Sequence, residues 1–288
     1  MKSLPVQIVA KLLSMVWLRL ALVLIFSGAW TTASAEILSA DPSVGEYEVG
    51  KRLQYLEDVN SKLAVSDVIA PYWQSKFRSH RRDVANFGFT QSSYWFKLSL
   101  SNPTNLEKAW ILEARYPMLD RLDVYLVRDG KVLGHRLSGD SLPFAQREFK
   151  HRNLGFTLAL APQDQLDVYL RVKTESSLQL PLHLLTPERF LERDQSEQYL
   201  FGLYYGILLA MLLYNLLVYR ALRDVNYLHY VHYLLGYALF QLSLNGLALQ
   251  YLWPKYPVWG NLATPLFIGV AFLGAVNFAR SFLHLKSQ

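Results

Sequence analysis

Three long apolar runs dominate the last third of the chain. They cover residues 199–219, 226–254 and 256–279, and the formally charged residues of this stretch stand between them: Arg220, Arg223, Asp224 and Lys255. Each run reaches the roughly 20 residues that an α-helix needs to cross a hydrocarbon core of about 30 Å. The pattern predicts an integral membrane protein with three transmembrane helices in residues 199–283, followed by a cytoplasmic tail at 284–288.

Before these runs, apolar residues recur at every second position. From residue 92, apolar positions such as Tyr94, Phe96 and Leu98 alternate with the others, which is typical of a half-buried β-strand. Further candidate strands are 109–114, 121–128, 131–137, 153–160, 166–174 and 178–184. Asp129-Gly130 predicts a hairpin, because both central positions of a type I′ turn need a positive φ. The pattern predicts an all-β jelly-roll sandwich over residues 36–185, in which residues 53–65 fit either a helix or a strand.

The first 35 residues have the pattern of a secretory signal peptide. Three basic residues precede an apolar run at 20–30, and Ala33-Ser34-Ala35 is a small-x-small cleavage site. The alternative is an uncleaved anchor, since the apolar segment at 12–30 is long. In both cases the region after Ala35 is exported. The absence of cysteine excludes disulfides and thiolate metal sites.

A short polar segment, residues 186–198, joins the two regions. Thr186-Pro187-Glu188 predicts a helix start, with Thr as the N-cap, Pro at the first helical position and an acid in the first turn. This connector helix would run directly into the first span. A continuous helix would transmit rotation or piston motion from the sandwich, whereas the alternative is a simple stalk.

The charges between the spans predict the orientation. With the sandwich exported, Arg220, Arg223, Arg280 and Lys286 fall on the cytoplasmic side and Lys255 on the outer side, as the positive-inside rule prefers. We therefore expect a multi-pass protein of a bacterial inner membrane, with its N-terminal domain in the periplasm and the lipid bilayer as a partner.

Polar residues within the spans are expected to face other helices, because each would be costly against lipid. They are Asn215, Gln241, Asn245 and Asn277. His229 and His232 are spaced i, i+3 and fit interfacial packing or a lipid headgroup contact. The alternative, a metal or haem site, lacks a third ligand in the sequence.

Short motifs along the chain are shared with one family. In the membrane half they include Gly202-Leu203-Tyr204-Tyr205-Gly206, Arg223-Asp224-Val225-Asn226-Tyr227 and Leu252-Trp253-Pro254, and in the exported half Tyr94-Trp95-Phe96-Lys97, Trp110, Tyr116-Pro117 and Leu119-Asp120. With these motifs the chain resembles the bacterial seven-transmembrane receptors with diverse intracellular signalling modules, including their extracellular domain 2. The resemblance implies a jelly-roll sensor akin to carbohydrate-binding modules. It also implies a cytoplasmic kinase or cyclase output, in a longer or separate chain.

The sequence contains no catalytic signature. It has no GxxxxGK[ST] loop, HExxH helix, GxSxG elbow or dinucleotide fingerprint, so we expect neither an enzyme nor a cofactor. A carboxylate pair such as Glu113 with Asp120 suits a solvated or ion-paired surface better than a glycosidase site. The net charge of +6 is explained largely by membrane topology, and no nucleic-acid partner is expected.

Rings and polar groups of the sandwich supply candidate ligand contacts. Aromatic faces stack on sugars, and charged side chains bind hydroxyls. The candidates are Trp95, Glu113, Arg115, Tyr116, Asp120 and Tyr125. Trp95 and Tyr125 have the phase opposite to the apolar faces of their strands and are therefore expected at the surface.

Together these patterns predict a signal-transduction receptor, or a fragment of one, since the sequence ends after three predicted spans. It would sense a small, carbohydrate-like ligand in the periplasm and relay binding through its transmembrane helices. The alternative is a membrane-tethered binding or assembly protein that has no signalling output of its own.

Overall fold

The computed structural model describes residues 37–283, which belong to one compact unit. The predicted signal peptide and the tail at 284–288 lie outside the described residues. The strands are β1 Leu38–Ser39, β2 Glu46–Glu48, β3 Gln54–Asp58, β4 Arg78–Ser79, β5 Ala85–Phe89, β6 Ser93–Ser101, β7 Lys108–Ala114, β8 Arg121–Arg128, β9 Lys131–Ser138, β10 Leu154–Leu160, β11 Gln165–Lys173, β12 Ser177–Leu180 and β13 Leu182–Leu185. Residues 53–65 therefore contain a strand.

Two main sheets form the β domain. Within the described residues the larger sheet has the order β4-β3-β6-β11-β8-β9, with β1 beside β6, and the smaller has the order β10-β7-β13-β2. A third, two-stranded sheet pairs β12 with β5. Alternate residues of β6, β7 and β11, such as Phe96, Leu112 and Leu170, form one common core and are fully buried. The period of two thus places the apolar faces of both sheets against each other.

Local chemistry explains two details of the strands. Asp129 and Gly130 have φ values of 50° and 72°, so the β8–β9 hairpin has the positive φ angles that its sequence predicts. The predicted strand at 178–184 is interrupted at Pro181, since proline has no N–H to donate to a ladder. As a result β12 pairs with β5, whereas β13 pairs with β7 and β2.

The second face of the larger sheet is covered, which overturns one prediction. Two short helices, α1 Val65–Val68 and α2 Pro71–Gln74, lie with Phe77 over this face. Trp95 packs beneath them and is 0% exposed. The expectation that Trp95 lies at the surface is therefore wrong. The side of β6 that faces away from the main core contacts a second apolar layer instead of water.

In the part of the chain that the structure describes, four helices follow the β domain: α3 Pro187–Leu222, α4 Val225–Leu244, α5 Leu247–Tyr251 and α6 Pro257–Phe282. Thr186 caps α3 as its sequence predicts, because its hydroxyl accepts a hydrogen bond from the backbone N–H of Arg189 at 3.3 Å. Gly236 of α4 lies close to Ala271 of α6, and a Cβ at Gly236 would approach the Ala271 nitrogen to 2.7 Å. Small residues thus allow these two helices to pack at close range.

The apolar run at 226–254 does not form one helix. It is divided into α4 and α5 by Gly246, which has a φ of 73°. Among the described helices, α3 and α6 are long and apolar enough to cross a membrane. The third span within residues 199–283 therefore stays a prediction.

Candidate functional site

The outward face of β7 positions the first part of the site. Trp110, Leu112 and Ala114 point into the core and are fully buried. Glu113 and Arg115 alternate with them and lie on the opposite face, which the start of α3 covers. Both were expected to contact a ligand, but the structure pairs them with a helix of the same chain.

The start of α3 presents a matching stripe. Phe190, Arg193, Asp194 and Glu197 recur at the three- and four-residue spacing that places them on one helix face. Phe190 is buried against Ile111 and Leu185 of the smaller sheet. The three charged residues extend this contact along the helix, so the first three turns of α3 lie on the sheet.

Glu113 and Arg193 lie at the centre of the junction. Glu113 is 2% exposed, and its carboxylate accepts hydrogen bonds from the Arg193 guanidinium and from Asn153 Nδ2, the latter at 2.7 Å. Arg193 also donates to Glu46 of β2 at 2.5 Å. The Arg193 side chain therefore bridges β2 and β7, and it compensates the buried negative charge of Glu113.

Glu197 is the acceptor of a second group of ion pairs, one turn further along α3. Its two carboxylate oxygens accept hydrogen bonds from Arg115 and Arg152, whose guanidinium lies 4.8 Å from the centroid of the Phe201 ring. Burial alone would raise the pKa of Glu197, but the hydrogen bond from Arg152 and the nearby positive charges lower it overall. The charged form of this carboxylate is thus stabilised.

Two histidines complete the junction. His151 Nε2 lies 3.0 Å from Asp194 Oδ1, and His183 Nδ1 lies 3.2 Å from Glu46 Oε1. Burial lowers the pKa of both imidazoles, and the charge of Arg193 adds to this effect at His183. Both rings are therefore disposed to be neutral around pH 7 and act as hydrogen-bonding groups.

The other helices also contact the base of the sandwich. Asn245, at the end of α4, donates from Nδ2 to the Tyr205 hydroxyl of α3 at 2.9 Å. Gly246 lies against Pro117, and a Cβ at Gly246 would meet the Pro117 Cβ at 2.7 Å. Asn261 of α6 donates to Asp120 Oδ1 at 3.4 Å. The base of the sandwich thus meets α3, α6 and the turn between α4 and α5.

Asp120 connects this base to an outer groove. Its Oδ2 accepts hydrogen bonds from Thr174 Oγ1 at 2.7 Å and from the Glu175 N–H at 2.5 Å. The loop that contains Thr174 and Glu175 forms one wall of a groove of about 690 Å³, and Phe89 lies on the other wall with 83% of its surface exposed. Asp120 therefore lies behind the groove and holds its loop.

The remaining predicted residues occupy varied positions. Tyr116 is half-buried against the core, and Tyr125 is half-buried with its ring stacked 4.4 Å from the His135 imidazole. Asn215 donates to a carbonyl of its own helix. Gln241 donates to the Tyr237 hydroxyl, which lies 3.2 Å from the Tyr204 hydroxyl of α3.

Asn277 is exposed on α6, in contrast to the predicted helix contact. The adjacent Phe278 faces α4 instead, with its ring centroid 5.5 Å from that of Tyr230. Among the described residues, no cluster of three or more histidines or acids could hold a metal ion.

Sequence reasoning missed most of the junction. It omitted Glu46, His151, Arg152, Asn153, His183 and the charged stripe of α3. One signal was available, because residues 190, 193, 194 and 197 share a helix face in the predicted connector. Their partners come from strands and a loop far apart in sequence, so only the tertiary structure brings them together.

Comparison with known proteins gives two matches to family models. The model described as 7TMR-DISM extracellular 2 matches residues 50–186, and the model described as 7TM diverse intracellular signalling matches residues 197–288. No curated protein matches the chain. Among solved structures, the GH31 α-xylosidase from Xanthomonas citri is similar at 12% identity over 46% of this chain and 16% of that chain, with a TM-score of 0.22. A similarity this small supports no conclusion about fold or activity.

Proposed function

Because the chain belongs to the seven-transmembrane receptors with diverse intracellular signalling, we propose that it senses a small saccharide-like ligand on its outer domain and relays binding through its helices. We place it in a bacterial inner membrane as a multi-pass protein. A kinase or cyclase, in a longer or separate chain, would receive the signal. The proposal assigns no enzymatic activity and no cofactor to the residues described.

The observation behind the relay is the continuity of α3. This helix has 36 residues without a break, which corresponds to a length of about 54 Å. Its first turns are held by ion pairs to the smaller sheet, and its apolar remainder qualifies as a membrane span. A displacement of the sheet would therefore move the membrane part of the same rigid helix.

The groove at Phe89 is the best candidate for the ligand site. An exposed ring beside Gln91, Lys173 and Glu175 offers an apolar platform and several hydrogen-bonding groups. This combination suits a sugar, which has apolar ring faces and many hydroxyls. A ligand that contacts the loop at Thr174 would also act on Asp120, and through it on Asn261 of α6.

Thermal unfolding of the full chain in lipid nanodiscs tests the ligand class. We expect at least one of maltotriose, cellotriose, xylotriose and triacetylchitotriose to raise the Tm, since a ligand that binds only the folded state stabilises it. Phe89→Ala should abolish the rise. Tyr72→Ala, which removes another exposed ring that does not line the groove, should preserve the rise. If none of the four sugars raises the Tm, the saccharide class is refuted.

A distance measurement tests the relay. The chain contains no cysteine, so spin labels at Val132→Cys and Leu222→Cys would be the only ones present. The receptor proposal expects the active trisaccharide to change the distance between the β domain and the end of α3. Binding without any change of distance would instead favour the membrane-tethered binding protein.

A further inference from the structure

Two carboxylates meet where the sandwich rests on the helices. Asp120 precedes β8, and Asp140 follows β9. The Asp140 N–H donates to the Leu119 carbonyl at 2.9 Å, and a Cβ at Gly139 would lie 2.0 Å from the Asp120 carbonyl oxygen. The glycine allows the two backbone segments to approach closely, and this approach fixes the two acids side by side.

Asp140 is enclosed between the sandwich and the helices. It is 7% exposed and lines a small cavity together with Ser243, Gly246, Trp253 and Asn261. Among the described residues, its Oδ1 has no hydrogen-bond partner. A buried carboxylate oxygen that lacks a donor destabilises the charged form of the acid.

The charged groups that face Asp140 come from the sandwich. They are Asp120 and Arg147, whereas the described helix residues that line the cavity are uncharged. Arg147 is itself buried and donates to the carbonyl oxygens of His151, Arg152 and Gly139. Its guanidinium is thus held by the backbone of the same loop, while its charge partly offsets that of Asp140.

Burial raises the pKa of Asp140 to about 7, and the neighbouring charge of Asp120 adds to this effect, while the charge of Arg147 and the side chain of Asn261 oppose it in part. The folded state therefore retains a proton that the unfolded state releases near the ordinary value of 3.8. Between these two values the folded state binds more protons, so its stability falls as the pH rises. The loss is complete once the pH exceeds the folded value, which lies within the range of natural external pH.

We propose that Asp140 makes the contact between the sandwich and α6 dependent on external pH. With its proton, Asp140 shares the interface with Asp120 without repulsion, and Asn261 of α6 stays bound to Asp120. When the proton is lost, a second carboxylate charge lies beside Asp120 in the closed cavity that α6 lines, and water has to enter the cavity to solvate it. The sandwich then separates from α6, and the receptor responds to protons independently of any sugar.

The test measures both stability and distance in the full chain in nanodiscs. Spin labels at Val132→Cys and Val258→Cys report the separation of the β domain from the start of α6, because both side chains are exposed. We expect the Tm to fall from about pH 5 to about pH 7 and to level off above it, whereas the distance should increase with a midpoint near 7. Asp140→Asn should remove both changes and keep the short distance throughout.

Two further variants make the outcome decisive. Asp129→Asn alters an exposed carboxylate in the β8–β9 hairpin and should behave as the wild type does. Asp120→Asn removes the repelling charge and should move the midpoint to lower pH, so it tests the idea even if Asp140→Asn folds poorly. If Asp140→Asn retains the pH response of the wild type, or if Asp120→Asn leaves the midpoint unchanged, the proposal is wrong.

Discussion

Arg193→Met tests whether the junction depends on a buried charge. The substitution keeps an unbranched apolar stem of similar length, so the packing of α3 on the sheet is largely preserved. What it removes is the guanidinium between Glu113 and Glu46. Glu113 then keeps Asn153 as its hydrogen-bond donor, with the His151 ring 3.8 Å away.

The expected magnitude follows from the burial of Glu113. Since this carboxylate is 2% exposed, removal of its cation leaves an uncompensated buried charge, and we expect a loss of about 3–5 kcal/mol in the free energy of unfolding. In a Glu113→Gln background the charge is already absent. The same Arg193→Met change should then cost about 0.5–3 kcal/mol less, a difference that measures the coupling between the two side chains.

A double-mutant cycle provides the measurement. Urea unfolding of the four proteins in micelles gives the free energies, and Trp110 supplies a fluorescent side chain on the same strand as Glu113. Hydrogen exchange of β7 and β13 shows whether the loss is located at the junction. A cost of Arg193→Met below about 1 kcal/mol, as for an exposed ion pair, would refute the reasoning. An equal cost of Arg193→Met in the wild-type and Glu113→Gln proteins would also refute the reasoning.

Two other predictions concern the helices. Gly246→Ala places a Cβ 2.7 Å from Pro117 at a positive φ. It should reduce the free energy of unfolding by about 1–3 kcal/mol, which is measured as a lower Tm. Gly269→Ala on α6 is the control and should not lower the Tm, because a Cβ there meets nothing within 4 Å. Equal effects of the two would disprove the close contact. A reporter that is active only in the periplasm should be silent after Arg223 and active after Lys255, and the reverse result would overturn the orientation.

Much of the β domain follows from short-range patterns. The period of two located the strands around Phe96, Val124 and Leu170, because a pleated strand turns successive side chains to opposite faces. The Asp129-Gly130 turn and the Thr186 cap depend on residues within one turn of each other. These features require no knowledge of the partner strands, and the sequence is therefore sufficient to predict them.

The site itself depends on long-range pairing. The period placed Trp95 on the second face of its strand, but it contains no information on what covers that face. The tertiary structure covers Trp95 with α1 and α2, and it places Glu113 against Arg193, 80 positions later in the chain. Similarly, the apolar run alone would have continued a helix through Gly246, which has a positive φ in the structure and lies against Pro117. By itself the sequence determined which side chains share a face, because that depends on local backbone geometry. Only the tertiary structure decided whether each face meets solvent, another layer or a helix, because that depends on contacts between distant segments.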